Sequence, residues 1–297
     1  MLAAVALGLA QAQGSEPITL TCTFYINFLN EYICRLERIE VLNETLEVVI
    51  TGDHLTNRTD ADVSAVLIRN SSTPFMIQQI FLTFPNILEL DIQGSNLQSI
   101  IIPESVQLVG LVLSRNNISR IVNETFAGQS RLQFITAIDA GIQEIEEDAF
   151  LGLESLKSLV LIDNRISELT QQTLSPLVNV ARLDFERNLL TQIGNIFTTN
   201  LNLTNLYLEY NQINEISPIF VQHIQNSLET INLRGNHCVD RYFTFNLEME
   251  LVIFNNLMTP CFNNFVGEIP KTRQITLEFQ GPLSLFDAFG NIIARVN

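Results

Sequence analysis

One eleven-residue pattern recurs along the chain and limits its fold more than any other feature. The pattern is LxxLxLxxNxL, in which L stands for a large aliphatic residue, and clear copies are LKSLVLIDNRI at Leu156 and LTNLYLEYNQI at Leu203. Successive copies start 21 to 25 residues apart. A pattern repeated at such a period predicts a solenoid, because each turn can bury its apolar side only against the next.

The number of copies predicts the number of turns. Seven clear copies begin at Ile87, Leu108, Leu132, Leu156, Val180, Leu203 and Leu228. Two weaker copies begin at Thr45 and Val63, so the sequence predicts about nine turns. In each copy the aliphatic residues alternate with others, as in a short strand with one buried face.

The ninth position of the pattern carries asparagine in five copies, at Asn116, Asn164, Asn188, Asn211 and Asn236. A buried amide there can bond backbone groups that the turn leaves unpaired. Four copies depart from the pattern, with Asp53, Ser71, Ser95 and Ala140, so we expect the ladder of amides to be interrupted at these positions. Large apolar residues later in each turn are expected to pack the opposite side: Phe126, Phe150, Leu174, Phe197 and Phe220.

These repeats resemble the leucine-rich-repeat family, in its secreted type, across residues 45–238. The resemblance implies an α/β-type curved horseshoe with a parallel β-sheet on its concave face and a cap at each end. Nine strands about 4.8 Å apart place the two ends roughly 40 Å from each other. Disulfides must therefore join Cys22 to Cys34 and Cys238 to Cys261. The two-cysteine caps also resemble those of secreted insect proteins of this family, such as mosquito immune proteins without a coiled coil.

The chain divides into four predicted segments. Residues 1–12 form an apolar run that ends in a small-x-small cleavage pattern, which indicates a signal peptide, either short or truncated. Residues 13–44 are expected to form the N-terminal cap and residues 45–237 the repeats. Residues 238–297 are expected to form a C-terminal cap with a small β-hairpin, from alternation over residues 275–279 and a turn at Gly290–Asn291.

Composition limits where the protein can be located and which classes of molecule it can bind. The chain has 32 acidic and 16 basic residues, a net charge of −16 that repels nucleic acid and anionic lipid. It has no later apolar segment of the length that spans a bilayer. We therefore expect a secreted, extracellular glycoprotein that does not insert into membranes. Its candidate glycosylation sites are Asn43, Asn57, Asn70, Asn117, Asn123 and Asn202.

The sequence offers little for catalysis, for a metal or for a cofactor. His54, His223 and His237 lie on different turns, and His237 beside Cys238 fits a disulfide-bonded cap better than a zinc site. Asp163 and Asp184 could face each other on neighbouring turns, but solvated surface charge is the better interpretation. The sequence therefore predicts no enzyme, with a hydrolase as a remote alternative.

The side chains that point out of the strands indicate a binding surface. An apolar group comprises Val112, Phe134, Ile138, Val160 and Ile162. A polar border comprises Arg115, Asp139, Asp163, Arg182, Asp184, Glu186, Arg187, Tyr207, Glu209 and Tyr210. Aromatic and arginine residues around an apolar centre are typical of protein–protein interfaces.

This surface predicts recognition of another extracellular protein, in innate immunity or extracellular signalling. The alternatives that the sequence leaves open are a homodimer through the same face, cover by a cap or glycan, and a self-associating structural component of the extracellular matrix.

Overall fold

The computed structural model of the chain describes residues 17–245, 248–266, 284–286 and 292–295. The predicted signal peptide, residues 1–12, lies outside these ranges. So do residues 275–279 and Gly290–Asn291, on which the prediction of a C-terminal hairpin rested.

An eleven-stranded sheet runs through the repeats, and its nine central strands are parallel. In chain order these nine are β3 (Tyr32–Glu37), β5 (Ala65–Arg69), β6 (Glu89–Gln93), β7 (Gly110–Val112), β9 (Phe134–Thr136), β11 (Ser158–Val160), β12 (Arg182–Asp184), β14 (Asn205–Tyr207) and β16 (Thr230–Asn232). An antiparallel strand closes each end, β2 (Thr23–Ile26) beside β3 and β17 (Tyr242–Thr244) beside β16. From β5 to β16 the chain makes about seven turns.

The first predicted repeat, at Thr45, is wrong. Its strand β4 (Val48–Thr51) does not join the main sheet but pairs with β1 (Ile18–Thr21) in a separate two-stranded sheet. The physical reason is length, because only 18 residues separate Thr45 from the copy at Val63, too few for a full turn. Strand β3, which precedes β4, takes the place beside β5.

Short pieces of secondary structure complete the turns behind the sheet. The strands are β8 (Arg120–Ile121) with β10 (Glu144–Ile145), and β13 (Gln192–Ile193) with β15 (Glu215–Ile216). The short helices are a 3₁₀ turn at Asp60–Asp62, α1 (Gln79–Thr83) and α2 (Gln171–Leu174). The longer α3 (Glu248–Asn264) follows the last strand of the main sheet. Strands β18 (Ser284–Phe286) and β19 (Ile292–Arg295) pair antiparallel with each other.

The asparagine ladder is present as the pattern predicts. The side chain of Asn164 accepts hydrogen bonds from the backbone of Ala140 and Ile142, at 3.1 and 3.0 Å, and donates to the carbonyls of Ala137 and Leu161. The amides of Asn116, Asn188, Asn211 and Asn236 bond neighbouring turns in the same way. Each amide therefore joins two successive turns.

Backbone bonds fill the interruptions of this ladder. At Ala140 the N–H of Ile118 donates directly to the alanine carbonyl at 2.7 Å. At Ser95 the N–H of Thr73 donates to the serine carbonyl at 2.8 Å. The missing side-chain amide is replaced at both positions by a closer approach of the two backbones.

The apolar core lies between the sheet and the turns behind it. Phe126, Phe150, Leu174, Phe197 and Phe220 are all completely buried, and the rings of Phe126 and Phe150 stack at 6.1 Å. Because these residues recur once per turn, they form a continuous column of side chains along the solenoid. No helix among the described residues is long and apolar enough to span a bilayer.

Both ends of the core are covered, and a disulfide lies in each covering segment. Cys22–Cys34 joins the residue between β1 and β2 to β3, and Cys238–Cys261 ties α3 to the last turn, which are the pairs that the sequence predicts. At the first end His54 stacks on Phe24 with ring centroids 4.1 Å apart and bonds the hydroxyl of Tyr32. At the other end the buried ring of Phe254 packs on Phe220 and Phe243.

Candidate binding surface

The sheet face is the side of the eleven-stranded sheet turned away from the apolar core, which the resemblance predicts to be concave. Strand register aligns its outward side chains in rows across neighbouring repeats. One row holds Glu89, Gly110, Phe134, Ser158, Arg182, Asn205 and Thr230. The next holds Asp91, Val112, Thr136, Val160, Asp184, Tyr207 and Asn232. Because neighbouring strands lie about 4.8 Å apart, the predicted site residues on these rows form one continuous surface.

Phe134 is the most exposed apolar side chain of the predicted apolar group, with 48% of its surface accessible. Its neighbours in register are Gly110 on β7 and Ser158 on β11, which are too small to cover its ring. The other members of the group, Val112, Ile138, Val160 and Ile162, are partly exposed. The centre of the sheet face is therefore apolar and accessible to a partner.

A column of left-handed residues forms the border of the sheet face where the strands end. Arg115, Asp139, Asp163, Arg187 and Tyr210 all have φ between 52° and 57°, which is uncommon for residues other than glycine. Their N–H groups still bond the next turn; that of Arg187, for example, donates to the Glu209 carbonyl at 2.9 Å. The left-handed backbone turns the chain out of the sheet and places these side chains at the border.

Arginine and tyrosine side chains are packed together on this border. The guanidinium of Arg182 lies 4.5 Å from the ring centre of Tyr207, and that of Arg187 lies 5.3 Å from the ring centre of Tyr210. Arg182 also donates to Asp184, while Arg187 pairs with Glu186 and lies 3.8 Å from Asp163. These contacts place both guanidinium groups beside the tyrosine rings, with about half of each arginine side chain exposed.

Two of the predicted border residues are buried. Asp184 exposes 2% of its surface and Glu209 exposes 7%, whereas the sequence placed both at the surface. Asp184 lies in register between Val160 and Tyr207 and is paired with Arg182, so flanking side chains cover it. Asp184 is paired with Arg182, and Asp163 lies 3.8 Å from the arginine that also pairs with Glu186, which argues against the acid–base pair that the sequence left open.

A polar pair at the N-terminal part of the sheet face was missed by the sequence analysis. The guanidinium of Arg69 donates to both carboxylate oxygens of Asp91 on the next strand, one of them at 2.7 Å. Arg69 belongs to a weaker copy of the pattern and Asp91 to the first clear copy, and only the strand register shows that they are neighbours. They give this end of the face a polar character, unlike its centre.

Glu89 and Glu209 are the two carboxyls of the sheet face whose pKa is raised in the folded protein, and Glu209 lies within the predicted binding surface. Burial raises the pKa of the Glu209 carboxyl, and the negative charges of Glu186 and Asp184 raise the pKa further. The folded protein therefore binds a proton at Glu209 more readily than the unfolded chain does. This contribution to stability is complete at low pH and is lost as the pH rises through the folded-state pKa.

We expect Glu209→Gln to stabilise the protein at neutral pH by about 1 kcal/mol, since it removes a buried charge. At a pH well below the ordinary glutamate pKa of about 4.5 the difference from the wild type should be much smaller, because Glu209 is then neutral in both the folded and the unfolded chain. Urea unfolding of the two proteins at both pH values measures this. A variant that is less stable than the wild type at neutral pH would show that the charge of Glu209 supports the fold.

The remaining predicted residues lie away from the sheet face or at its edge. All six sequon asparagines are exposed: Asn43, Asn57, Asn70, Asn117, Asn123 and Asn202. His54 is part of the first covering segment, and His223 and His237 are exposed. Within the described ranges no three side chains are grouped so that they could hold a metal ion.

Residues 139–190 match the family model described as leucine rich repeat. These turns are similar to leucine-rich repeats. A search of curated proteins gives no match to the sequence.

Solved structures of the same fold extend the likeness to more of the chain. One is a TLR13–ssRNA13 complex, with 21% identity, 65% of this chain and 29% of that chain covered, and a TM-score of 0.56. Another is the Drosophila Toll–Spatzle complex, with 18% identity, coverage of 69% and 32%, and a TM-score of 0.52. A third is the APL1 leucine-rich repeat domain, with 17% identity, coverage of 74% and 65%, and a TM-score of 0.49.

These matches concern the fold. The chain forms a parallel-strand solenoid of the leucine-rich-repeat type, and it spans about a third of the length of the TLR13 and Toll chains.

Proposed function

We propose that this solenoid is a secreted recognition protein that binds another extracellular protein on the sheet face, over strands β7, β9, β11, β12 and β14. The observation that carries the proposal is the accessible apolar centre at Phe134, next to the arginine–tyrosine border. Clustered exposed apolar side chains usually mark a contact, and aromatic and arginine residues supply most of the energy in such contacts. These outward side chains do not pack in the core, so binding of a partner is the best explanation of why apolar and aromatic residues occur there.

Charge favours a protein partner over a nucleic acid. The similar TLR13 structure is a complex with single-stranded RNA, and the Toll structure is a complex with Spatzle. The net charge of this chain is −16, and the sheet face carries Asp184, Glu186 and Glu209 beside its apolar centre. A phosphate backbone would be repelled by this surface, whereas a protein with a basic patch would be attracted.

Secretion is supported by the cysteines and the sequons. All four cysteines form disulfides, which persist in oxidising compartments outside the cytosol. All six sequon asparagines are exposed, as attached glycans require. The Toll complex is described as a hub in development and innate immunity, and we propose a role in innate immunity or extracellular signalling for this chain as well.

A pull-down from extracellular fluid with three forms of the purified protein tests the proposal. The forms are the wild type, Phe134→Asp and Leu151→Asp, and the last is a matched control because Leu151 is also 48% exposed but lies behind the sheet. We expect the wild type and Leu151→Asp to retain the same protein and Phe134→Asp to lose it. Retention by all three forms, or only a second copy of the chain on every form, would contradict the proposal.

A further inference from the structure

Three carboxylates lie close together on the sheet face, at Asp184, Glu186 and Glu209. Asp184 is bonded by Arg182 and Glu186 is paired with Arg187. No lysine, arginine or histidine among the described residues forms an ion pair with Glu209. Arg187 also lies 3.8 Å from Asp163, so the two arginines are shared among three other carboxylates and neither pairs with Glu209.

The carboxyl of Glu209 is poorly satisfied as well as unpaired with a cation. Only 7% of the surface of Glu209 is exposed. Its Oε2 atom is out of contact with water and lacks a hydrogen-bond partner. One side-chain hydrogen bond, with the amide of Asn232, lowers the pKa of this carboxyl and so opposes the increase that burial causes. A buried carboxyl oxygen without a partner costs free energy, so the folded protein has a site that a donor could satisfy.

The surroundings of Glu209 fit a flat cation. Tyr207 lies two residues before Glu209 in the sequence, and Tyr210 follows it directly. Each tyrosine ring already has an arginine guanidinium beside it. The side chains of Arg182 and Arg187 are 43% and 52% exposed, so they are long, half-exposed groups that can be displaced. An incoming guanidinium would find here the same combination of carboxylate and aromatic ring that holds these two arginines.

We propose that Glu209, with Asp184 and Glu186, forms a binding site for a positively charged side chain of the protein partner, preferentially an arginine. The proposal rests on the proposed function and adds the chemistry of the partner, namely an apolar residue and, several residues away, a cationic one. The apolar residue lies on Phe134 and Ile162, and the cation lies at the Oε2 atom of Glu209. The bound cation ionises Glu209, so binding releases a proton when the carboxyl is neutral beforehand.

Selection from a phage-displayed library of random peptides, with the full chain as the target, tests this site. We expect enrichment of peptides in which arginine, and less often lysine, is separated by several residues from an aliphatic or aromatic residue, because β9 and β14 lie three strands, about 14 Å, apart. Glu209→Gln should weaken the selected peptides by about tenfold or more, and the wild type should bind them more weakly at about pH 5 than at about pH 7. Glu168→Gln, the same change in an exposed residue behind the sheet, should leave their affinity unchanged.

The outcomes separate this proposal from the proposed function. Peptides without basic residues, or basic peptides that bind Glu209→Gln as tightly as the wild type, overturn the cation site. If Phe134→Asp still abolishes their binding, the sheet face remains the recognition surface. If Phe134→Asp has no effect on any selected peptide, the proposed function fails instead. The melting temperature of each variant shows whether a loss of binding reflects unfolding.

Discussion

Replacement of Asn164 by alanine is expected to lower the free energy of unfolding by about 3 kcal/mol or more. Asn164 is buried, and its amide accepts from the N–H groups of Ala140 and Ile142 and donates to the carbonyls of Ala137 and Leu161. Alanine would leave three of these groups without their side-chain partner, namely the two N–H groups and the Ala137 carbonyl, while the Leu161 carbonyl still accepts from the Asn188 amide. Each unsatisfied buried group costs about 1–3 kcal/mol, and partial relaxation should reduce the sum.

The effect should be large for a second reason, because the neighbouring turn has no amide of its own. Ala140 already relies on a direct backbone bond to Ile118, so loss of Asn164 removes support from a turn with no alternative. In a solenoid each turn contacts only its neighbours, and the damage should therefore concentrate between β9 and β11.

Urea unfolding followed by circular dichroism measures this effect, with Asn226→Ala as the matched control. Asn226 is exposed, and its replacement should change the stability by less than about 0.5 kcal/mol. Equal effects of the two substitutions would show that the ladder amides contribute little.

Replacement of Phe134 by aspartate is expected to weaken binding of the protein partner by about 2 kcal/mol or more, roughly thirtyfold. Phe134 lies at the centre of the apolar group, and a charge there would have to be desolvated without a pairing group nearby. The side chains in register, at Gly110 and Ser158, offer no cation. Residues at the centre of an interface usually have the largest effects, because surrounding contacts exclude water from them.

The same substitution should leave the fold nearly unchanged. About half of the Phe134 side chain is already in contact with water, and the buried residue of its strand is Ile135. We expect a melting temperature within a few degrees of the wild type, and normal binding by Leu151→Asp in the same titration. Unfolding by Phe134→Asp would contradict the exposed position of this ring, and normal binding would place the partner elsewhere.

The repeats could be predicted from the sequence because every turn has the same pattern of residues, so that one turn shows how the others are arranged. The strands from Val63 onward, the amide ladder and the apolar column recur at a fixed spacing, and each copy confirms the register of the next. The segment at Thr45 has the right residue types but not the spacing, and only the pairing of β4 with β1 shows its place.

The polar part of the sheet face could not be predicted as well. Alternation shows which side chains leave the core, but it does not show which neighbours cover them. Asp184 is buried by its partner Arg182 and by the residues in register, and Glu209 is buried without a cation. These outcomes depend on contacts between repeats about 24 residues apart, which a single copy of the pattern does not contain.

Hydroxyl-radical footprinting of the complex tests the central claim most directly, because it reports the exposure of aromatic side chains one by one. Phe134, Tyr207 and Tyr210 should lose reactivity when the partner binds. Phe28 is 94% exposed at the tip of the hairpin between β2 and β3 and should keep its reactivity as an internal control. Protection of Phe28 or Leu151, with Phe134 and both tyrosines unchanged, would contradict the claim that the sheet face is the recognition surface.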